Sequence, residues 1–208
     1  MIIAVDGPTA SGKGTIAKRL AAHFGVPHLD TGLLYRAVGH QVGLNEGDPD
    51  NEADALAGCA FPDAMLADDT LRSESVGSLA SRVSVHPAVR EALFRRQRAF
   101  AEQPGGAVLD GRDIGTVIAP DADVKLFITA SVHERARRRW LEMTGREIEI
   151  ALDEIEKDIV ARDARDIQRK DSPLKAAPEA LVIDTTEFDR DAAFETVLEA
   201  VEQALSRT

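Results

Sequence analysis

The chain has 208 residues, 44% hydrophobic and 29% charged, which suits one folded α/β core with small appended lobes and argues against disorder. Its formal net charge of −11 disfavours general binding to nucleic acid or an anionic membrane, and no stretch approaches the ~20 apolar residues that span a bilayer. Cys59 is the only cysteine, the start Met1-Ile2-Ile3-Ala4-Val5-Asp6 is charged too soon for a signal peptide, and the five histidines form no zinc pattern. A cytoplasmic setting, with no metal held by side chains, is the expectation.

In chain order, Ile2 to Val5 reads as a buried strand. It runs into Gly7-Pro8-Thr9-Ala10-Ser11-Gly12-Lys13-Gly14-Thr15, where Gly7, Gly12 and Lys13 stand in the register of a phosphate-binding loop. Glycines there let successive N–H groups converge on phosphate oxygens. The predicted helix Thr15 to Phe24 adds the positive end of its dipole, and Lys13 supplies a mobile charge for the β- and γ-phosphates of a nucleotide. The residue after the lysine is Gly14, and the hydroxyl comes one later at Thr15. Most switch-type loops place Ser or Thr directly after the lysine to hold Mg²⁺, so Gly14 argues against a switch, and Gly-Lys-Gly-Thr resembles the nucleoside monophosphate kinases.

Further on, His28 to Asp30 reads as a short strand and Gly32 to Val42 as a helix. Gly43 to Ser75 is polar and acidic and looks like an inserted lobe. Strands are predicted at Ala107 to Leu109, Val124 to Ile128 and Leu181 to Ile183. Val132 to Arg169 is long, helical and charged, with a break near Thr144-Gly145 that suits a helix–loop–helix lid. The last helix carries Phe194, Val197, Leu198, Val201 and Leu205 on one stripe. Strands separated by helices imply a parallel sheet covered on both faces, with ligands beyond the carboxyl ends of its strands.

One such end is Asp110-Gly111-Arg112-Asp113, which sets both charge signs beside the phosphate loop. A carboxylate there can accept from an exocyclic amine while a guanidinium donates to ring acceptors. Cytosine offers that pattern and uracil reverses two of its groups. Arg162, Asp166 and Arg169 share a helix face, which by spacing alone reads as a surface laced by ion pairs.

Four segments together resemble the bacterial cytidylate kinases. They are Asp30-Thr31-Gly32-Leu33-Leu34-Tyr35-Arg36; Val89-Arg90-Glu91-Ala92-Leu93 with Arg95-Arg96-Gln97-Arg98; Asp110-Gly111-Arg112-Asp113-Ile114-Gly115-Thr116; and Arg162-Asp163-x-Arg165-Asp166-x-x-Arg169 followed by Ser172-Pro173-Leu174. The resemblance runs from Ile2 to about Thr186. It implies an α/β fold with a P-loop NTPase-type core, a five-stranded parallel sheet covered by helices, a small acceptor lobe and a helical lid. The division expected is a single domain with core 1–36, 87–131 and 175–208, lobe about 37–86 and lid about 132–174.

The implied activity is ATP-dependent phosphorylation of CMP and dCMP in pyrimidine nucleotide metabolism, with Mg²⁺ held mainly by phosphates and water. By the same resemblance Asp113, Ser81 and Arg90 read the base, and Arg36 and Arg112 hold the CMP phosphate. Arg162 and Asp166 meet the ribose edge, and Arg169 the reacting phosphates. Thr31 belongs to the acceptor side and Asp110 orients water on Mg²⁺. Lys13, Arg112, Arg162 and Arg169 form the catalytic set. Tyr35 either lines the acceptor pocket or packs beneath it, and an arginine between Arg135 and Arg139 reaches ATP. A kinase for UMP, AMP or shikimate is the alternative. A nucleotide switch is the more distant one, opposed by Gly14 and by the lack of an Asn-Lys-x-Asp motif. A monomer without nucleic-acid or membrane partners is expected. Between Arg36 and Ser81 the chain is shorter than the long members of that group, so the lobe is expected to be small and mobile, with little length for a three-stranded sheet.

Overall fold

The computed structural model describes residues 1–145 and 148–207. Its strands are β1 (Ile2–Asp6), β2 (His28–Asp30), β3 (Ala107–Gly111), β4 (Val124–Thr129) and β5 (Leu181–Asp184). All pair in parallel, in the order β2-β3-β1-β4-β5. Strands β1 and β3 are apolar without alternation because helices cover both faces. On one face Ile16 and Leu20 of α1 (Lys13–Phe24) and Phe194, Val197 and Val201 of α8 (Arg190–Leu205) pack on Ile3, Val5, Leu126 and Ile128. On the other, Ala101 of α5 (Pro87–Ala101) and Ile114 and Ile118 of a single π turn, Ile114–Ile118, cover Ala4 and Leu109.

Register decides what stands at the carboxyl edge. Asp6 lies opposite Gly111, and Asp30 opposite Asp110, so three aspartates mark the ends of β1, β2 and β3. The phosphate loop leaves the sheet between them. It does so through Gly7, whose φ is +154° and whose Cβ, if present, would stand 2.1 Å from the Ile128 carbonyl oxygen. Backbone cannot yield to such a contact. Gly7→Ala is therefore expected to cost about 3 kcal/mol or more, seen as a lower urea midpoint. An unchanged midpoint would mean that the loop can leave β4 without loss.

The segment expected to form the acceptor lobe is helical: α2 (Thr31–Leu44), α3 (Glu52–Ala57), three 3-10 turns and α4 (Glu74–Val83). Among the described residues it contains no strand. Its residues include Ala and Leu runs at helical spacing, and Asn51 and Ser73 cap α3 and α4 through backbone N–H groups. Short as it is, it has a core: Val38, Val42, Ala55, Phe61, Leu71, Val76 and Val83 bury their side chains together with Leu34. The acidic turn is tied down as well. Arg82 Nε donates to Asp50 Oδ1 at 2.8 Å, and His86 Nε2 meets the Pro49 carbonyl at 2.9 Å. These contacts join the turn to α4 and to the residue that precedes α5. Helices α6 (Val132–Thr144) and α7 (Leu152–Gln168) pack through Ala136, Met143, Ile155 and Ile159. The predicted break falls where α6 ends, at Gly145.

Candidate active site

A cleft of about 800 Å³ opens at the carboxyl edge of the sheet. Gly7 and Pro8 do not line it, and every other residue expected of the site does: Thr9 to Thr15, Thr31, Tyr35, Arg36, Ser81, Arg90, Asp110, Arg112, Asp113, Arg162, Asp166 and Arg169. Ten arginines and lysines against seven aspartates and glutamates form its walls, in a chain where acids outnumber bases by 36 to 25. Positive charge has been gathered where phosphates would sit.

At the phosphate loop Gly12 turns into α1 with φ +89°, a conformation that suits glycine. Lys13 is buried, and its Nζ folds back to donate to the Pro8 carbonyl at 3.3 Å. Burial, then the positive charge of Arg112, push its ammonium down to about 8, although Asp110, Asp30 and Asp166 pull the other way. A nucleotide polyphosphate placed beside Lys13 would favour the charged form, so its binding there would take up a proton above that pH. The affinity for ATP is expected to fall as pH rises from 8 to 9.5, where the nucleotide's own phosphates are already ionised. Calorimetry in two buffers of different ionisation heat reads the proton directly, and a flat affinity would remove Lys13 from the ATP contacts.

The other end of the cleft begins at β3. Thr31 Oγ1 donates to the Asp110 carbonyl at 2.8 Å, and His28 Nε2 meets Asp110 Oδ1 at 2.7 Å. Asp113 and Arg90 form an ion pair in which both residues are more than nine-tenths buried. The Tyr35 ring lies 5.6 Å from that guanidinium, so Tyr35 both lines the cleft and packs below it. Asp113 is fixed from behind. The Ile114 and Gly115 N–H groups donate to the two oxygens of Asp6, each at 2.8 Å. Burial pushes the Asp6 carboxyl up to about 7, against those two bonds. Arg112 Nε donates to Asp166 Oδ2 at 2.8 Å, which joins the end of β3 to α7. Arg165 Nε donates to Ser81 Oγ at 3.1 Å, and Arg169 Nη1 reaches Ser84 Oγ at 3.5 Å. Ser11, Arg90 and Arg169 each keep one buried polar atom without a hydrogen-bond partner. All three line the cleft, and buried polar atoms of that kind call for a ligand or water.

The family model described as cytidylate kinase matches residues 3–203. The chain belongs to the cytidylate kinase family. Cytidylate kinase of Cereibacter sphaeroides is 54% identical over 96% of this chain and 94% of its own length. That of Methylocella silvestris is 52% identical over 98% and 95%. A crystal structure of an uncharacterised protein from Eubacterium ventriosum shares the fold, with TM-score 0.57 and 15% identity over 97% of this chain and 98% of that one.

In this cytidylate kinase family member the cluster Arg135 to Arg139 divides its labour. Arg135 is 4% exposed and does not line the cleft. It donates to Ala130 and Thr9 carbonyls and, at 2.7 Å, to Asp163 Oδ2, so it pins the loop to α7. Arg137, Arg138 and Arg139 do line the cleft. Arg138 reaches the carbonyls of Ser11 at 3.3 Å and Thr185 at 2.6 Å, bridging the phosphate loop to the end of β5. Arg36 points to the Leu71 and Ser73 carbonyls, at 2.7 and 2.8 Å.

Asp30, Thr185, Asp6, His28 and Glu74 were given no part in the site by the sequence reading. The first three stand at or next to strand ends, where the rule for parallel sheets could have found them. His28 also sits in β2, but its contact with Asp110 depends on a pairing between strands 82 residues apart in sequence. Glu74 carries no local signal.

Proposed function

We propose that the chain transfers the terminal phosphoryl group of ATP to CMP and dCMP, in keeping with relatives named cytidylate kinase. One observation supports the acceptor reading above the rest: the buried pair Asp113–Arg90 lies in the same cleft as the phosphate loop. Its carboxylate suits the cytosine amine and its guanidinium the ring acceptors, with Ser81 beside them. Arg36 and Arg112 take the CMP phosphate, Arg162 and Asp166 the ribose edge, and Arg169 the reacting phosphates. Thr9 to Thr15 cradle ATP above the turn made by Gly7 and Pro8.

The attacking oxygen of the acceptor phosphate is already an anion, so no general base is needed. What the protein must supply is alignment, neutralisation and exclusion of water. Lys13, Arg112, Arg162 and Arg169 neutralise the charge that spreads over the transferred oxygens. Among the described residues no cluster of three or more metal-binding side chains exists, but the carboxylates of Asp30 and Asp110 act on Lys13 by their charge and line the same cleft. Hard oxygens of this kind fit a hydrated Mg²⁺ held mostly by phosphates, with the two aspartates orienting its water. When bound, that ion offsets the negative charge on the phosphates.

The reading divides the chain into core 1–36, 87–131 and 175–208, acceptor lobe 37–86 and lid 132–174. Helices α6 and α7 would close over the cleft and keep water from ATP. In this reading the working unit is a monomer. A cytoplasmic location fits the single cysteine.

A coupled assay across CMP, dCMP, UMP, AMP and shikimate tests the reading. CMP and dCMP are expected to exceed UMP by about 10²-fold or more in kcat/KM. Equal or faster turnover of UMP, AMP or shikimate would overturn it.

A further inference from the structure

Arg36, Arg139 and Arg162 come from α2, α6 and α7 and meet at the first turn of α4. All three line the cleft. Arg36 is so close to α4 that a Cβ on Gly77 would stand 2.8 Å from its Nη2. Burial, then the positive charges of Arg162 and Arg139, push its guanidinium down to about 10. Three cations brought to one helix turn suit a phosphate dianion.

In the protein alone, Glu74 supplies the negative charge at this meeting point. Its Oε1 accepts from Arg162 Nη1 at 3.2 Å. Its Oε2 accepts from Arg139 Nε at 3.0 Å and from Arg139 Nη2. Two more of their nitrogens are engaged. Arg162 Nη2 donates to the Gly77 carbonyl at 3.2 Å, and Arg139 Nη1 to Glu142 Oε2 at 2.9 Å. For Arg139 or Arg162 to turn these nitrogens to a phosphate, a present acceptor must give way. The Glu74 carboxylate is the one both arginines share, and two anions cannot occupy one arginine cluster without strong repulsion.

We propose that Glu74 is a latch that competes with substrate phosphate for Arg139 and Arg162. Without ligand it ties α6 and α7 to α4. When a phosphate arrives, it releases both arginines, so lid closure draws on cations that the empty enzyme keeps neutralised. Glu74 is thus a positioning residue that acts through the two arginines. The proposal rests on the phosphoryl-transfer reading of the cleft, which brings phosphate to Arg162.

Glu74→Gln keeps the shape of the side chain and removes its charge. Three readings apply to it: the Kd for CMP and for inorganic pyrophosphate, amide exchange over α6 and α7 without ligand, and the split between kcat and KM. Trp140, the only tryptophan, follows Arg139 on α6 and reports binding by its fluorescence. The variant is expected to bind both anions about tenfold more tightly, the equivalent of one charge-assisted pair. Exchange over α6 and α7 should quicken, and KM for CMP should fall by more than kcat changes. Asp158→Asn is the control, since that carboxylate stands 3.9 Å from Arg162 outside the Glu74 contacts, and it should leave both affinities unchanged. Unchanged or weaker anion binding in Glu74→Gln would overturn the competition. Unchanged exchange would overturn the tie, and an equal gain in Asp158→Asn would reduce both to bulk charge. Pyrophosphate binding is read without turnover, so a latch effect in an enzyme that ignores CMP would sink the acceptor assignment alone.

Discussion

Lys13→Met is expected to lower turnover by about 10²–10⁴-fold, the scale on which removal of a preorganised electrostatic contact acts. The variant should nonetheless fold at least as stably as the parent. Lys13 is buried, and a shift from 10.5 to about 8 means that its charge costs on the order of 3 kcal/mol at neutral pH in the unliganded protein. The sign follows from the depressed value: the unfolded chain holds the proton between pH 8 and 10.5 and the folded one releases it, so stability rises with pH across that window. Methionine fills a similar volume without the charge. A melting temperature that rises while turnover collapses is the expected signature, a trade of stability for activity at one atom. Near-wild-type turnover in the folded variant would remove Lys13 from the transition state.

Asp113→Asn is expected to abolish the preference for CMP over UMP and to cost about 3 kcal/mol of stability. The selectivity follows from chemistry, because an amide can donate to the uracil carbonyl where a carboxylate repels it. The stability follows from burial. Arg90 is 8% exposed and already has one nitrogen without a partner, so loss of the facing charge leaves a buried cation uncompensated. The double variant Asp113→Asn with Arg90→Gln separates the two effects: it should recover part of the stability and none of the selectivity. The ratio of kcat/KM for the two acceptors and a urea titration check both. An unchanged ratio would mean that Asp113 does not read the amine.

Periodicity located each strand, and β3 ends at Asp110-Gly111 as expected, but the structure carries β1, β4 and β5 one residue further, to Asp6, Thr129 and Asp184. An apolar run stops where side chains turn polar, whereas backbone pairing continues to the edge that holds the site. The phosphate loop was legible because its geometry is local: nine consecutive residues contain the turn, the lysine and the helix start. The acceptor side was legible only as a set of segments. Nothing near Asp6 in sequence indicates that its two oxygens hold the turn after Asp113, 108 residues away. Composition likewise could not sort Arg135, buried under the loop, from Arg138 and Arg139, which reach the cleft from the same helix. Helix phase and tertiary packing made that distinction.

The strand order also has a consequence for how the molecule is made. β1 occupies the middle of the sheet, yet its neighbours β3 and β4 begin at Ala107 and Val124. During synthesis the first strand therefore has no partner until more than a hundred residues have followed it. The phosphate loop, anchored on β1 and pressed against Ile128, cannot take its final shape before then. Pairings this distant carry a large loop-closure cost and slow the search. Ile2 to Val5 thus forms an apolar edge that stays exposed on the nascent chain, and a chaperone that binds short aliphatic strands would find it early.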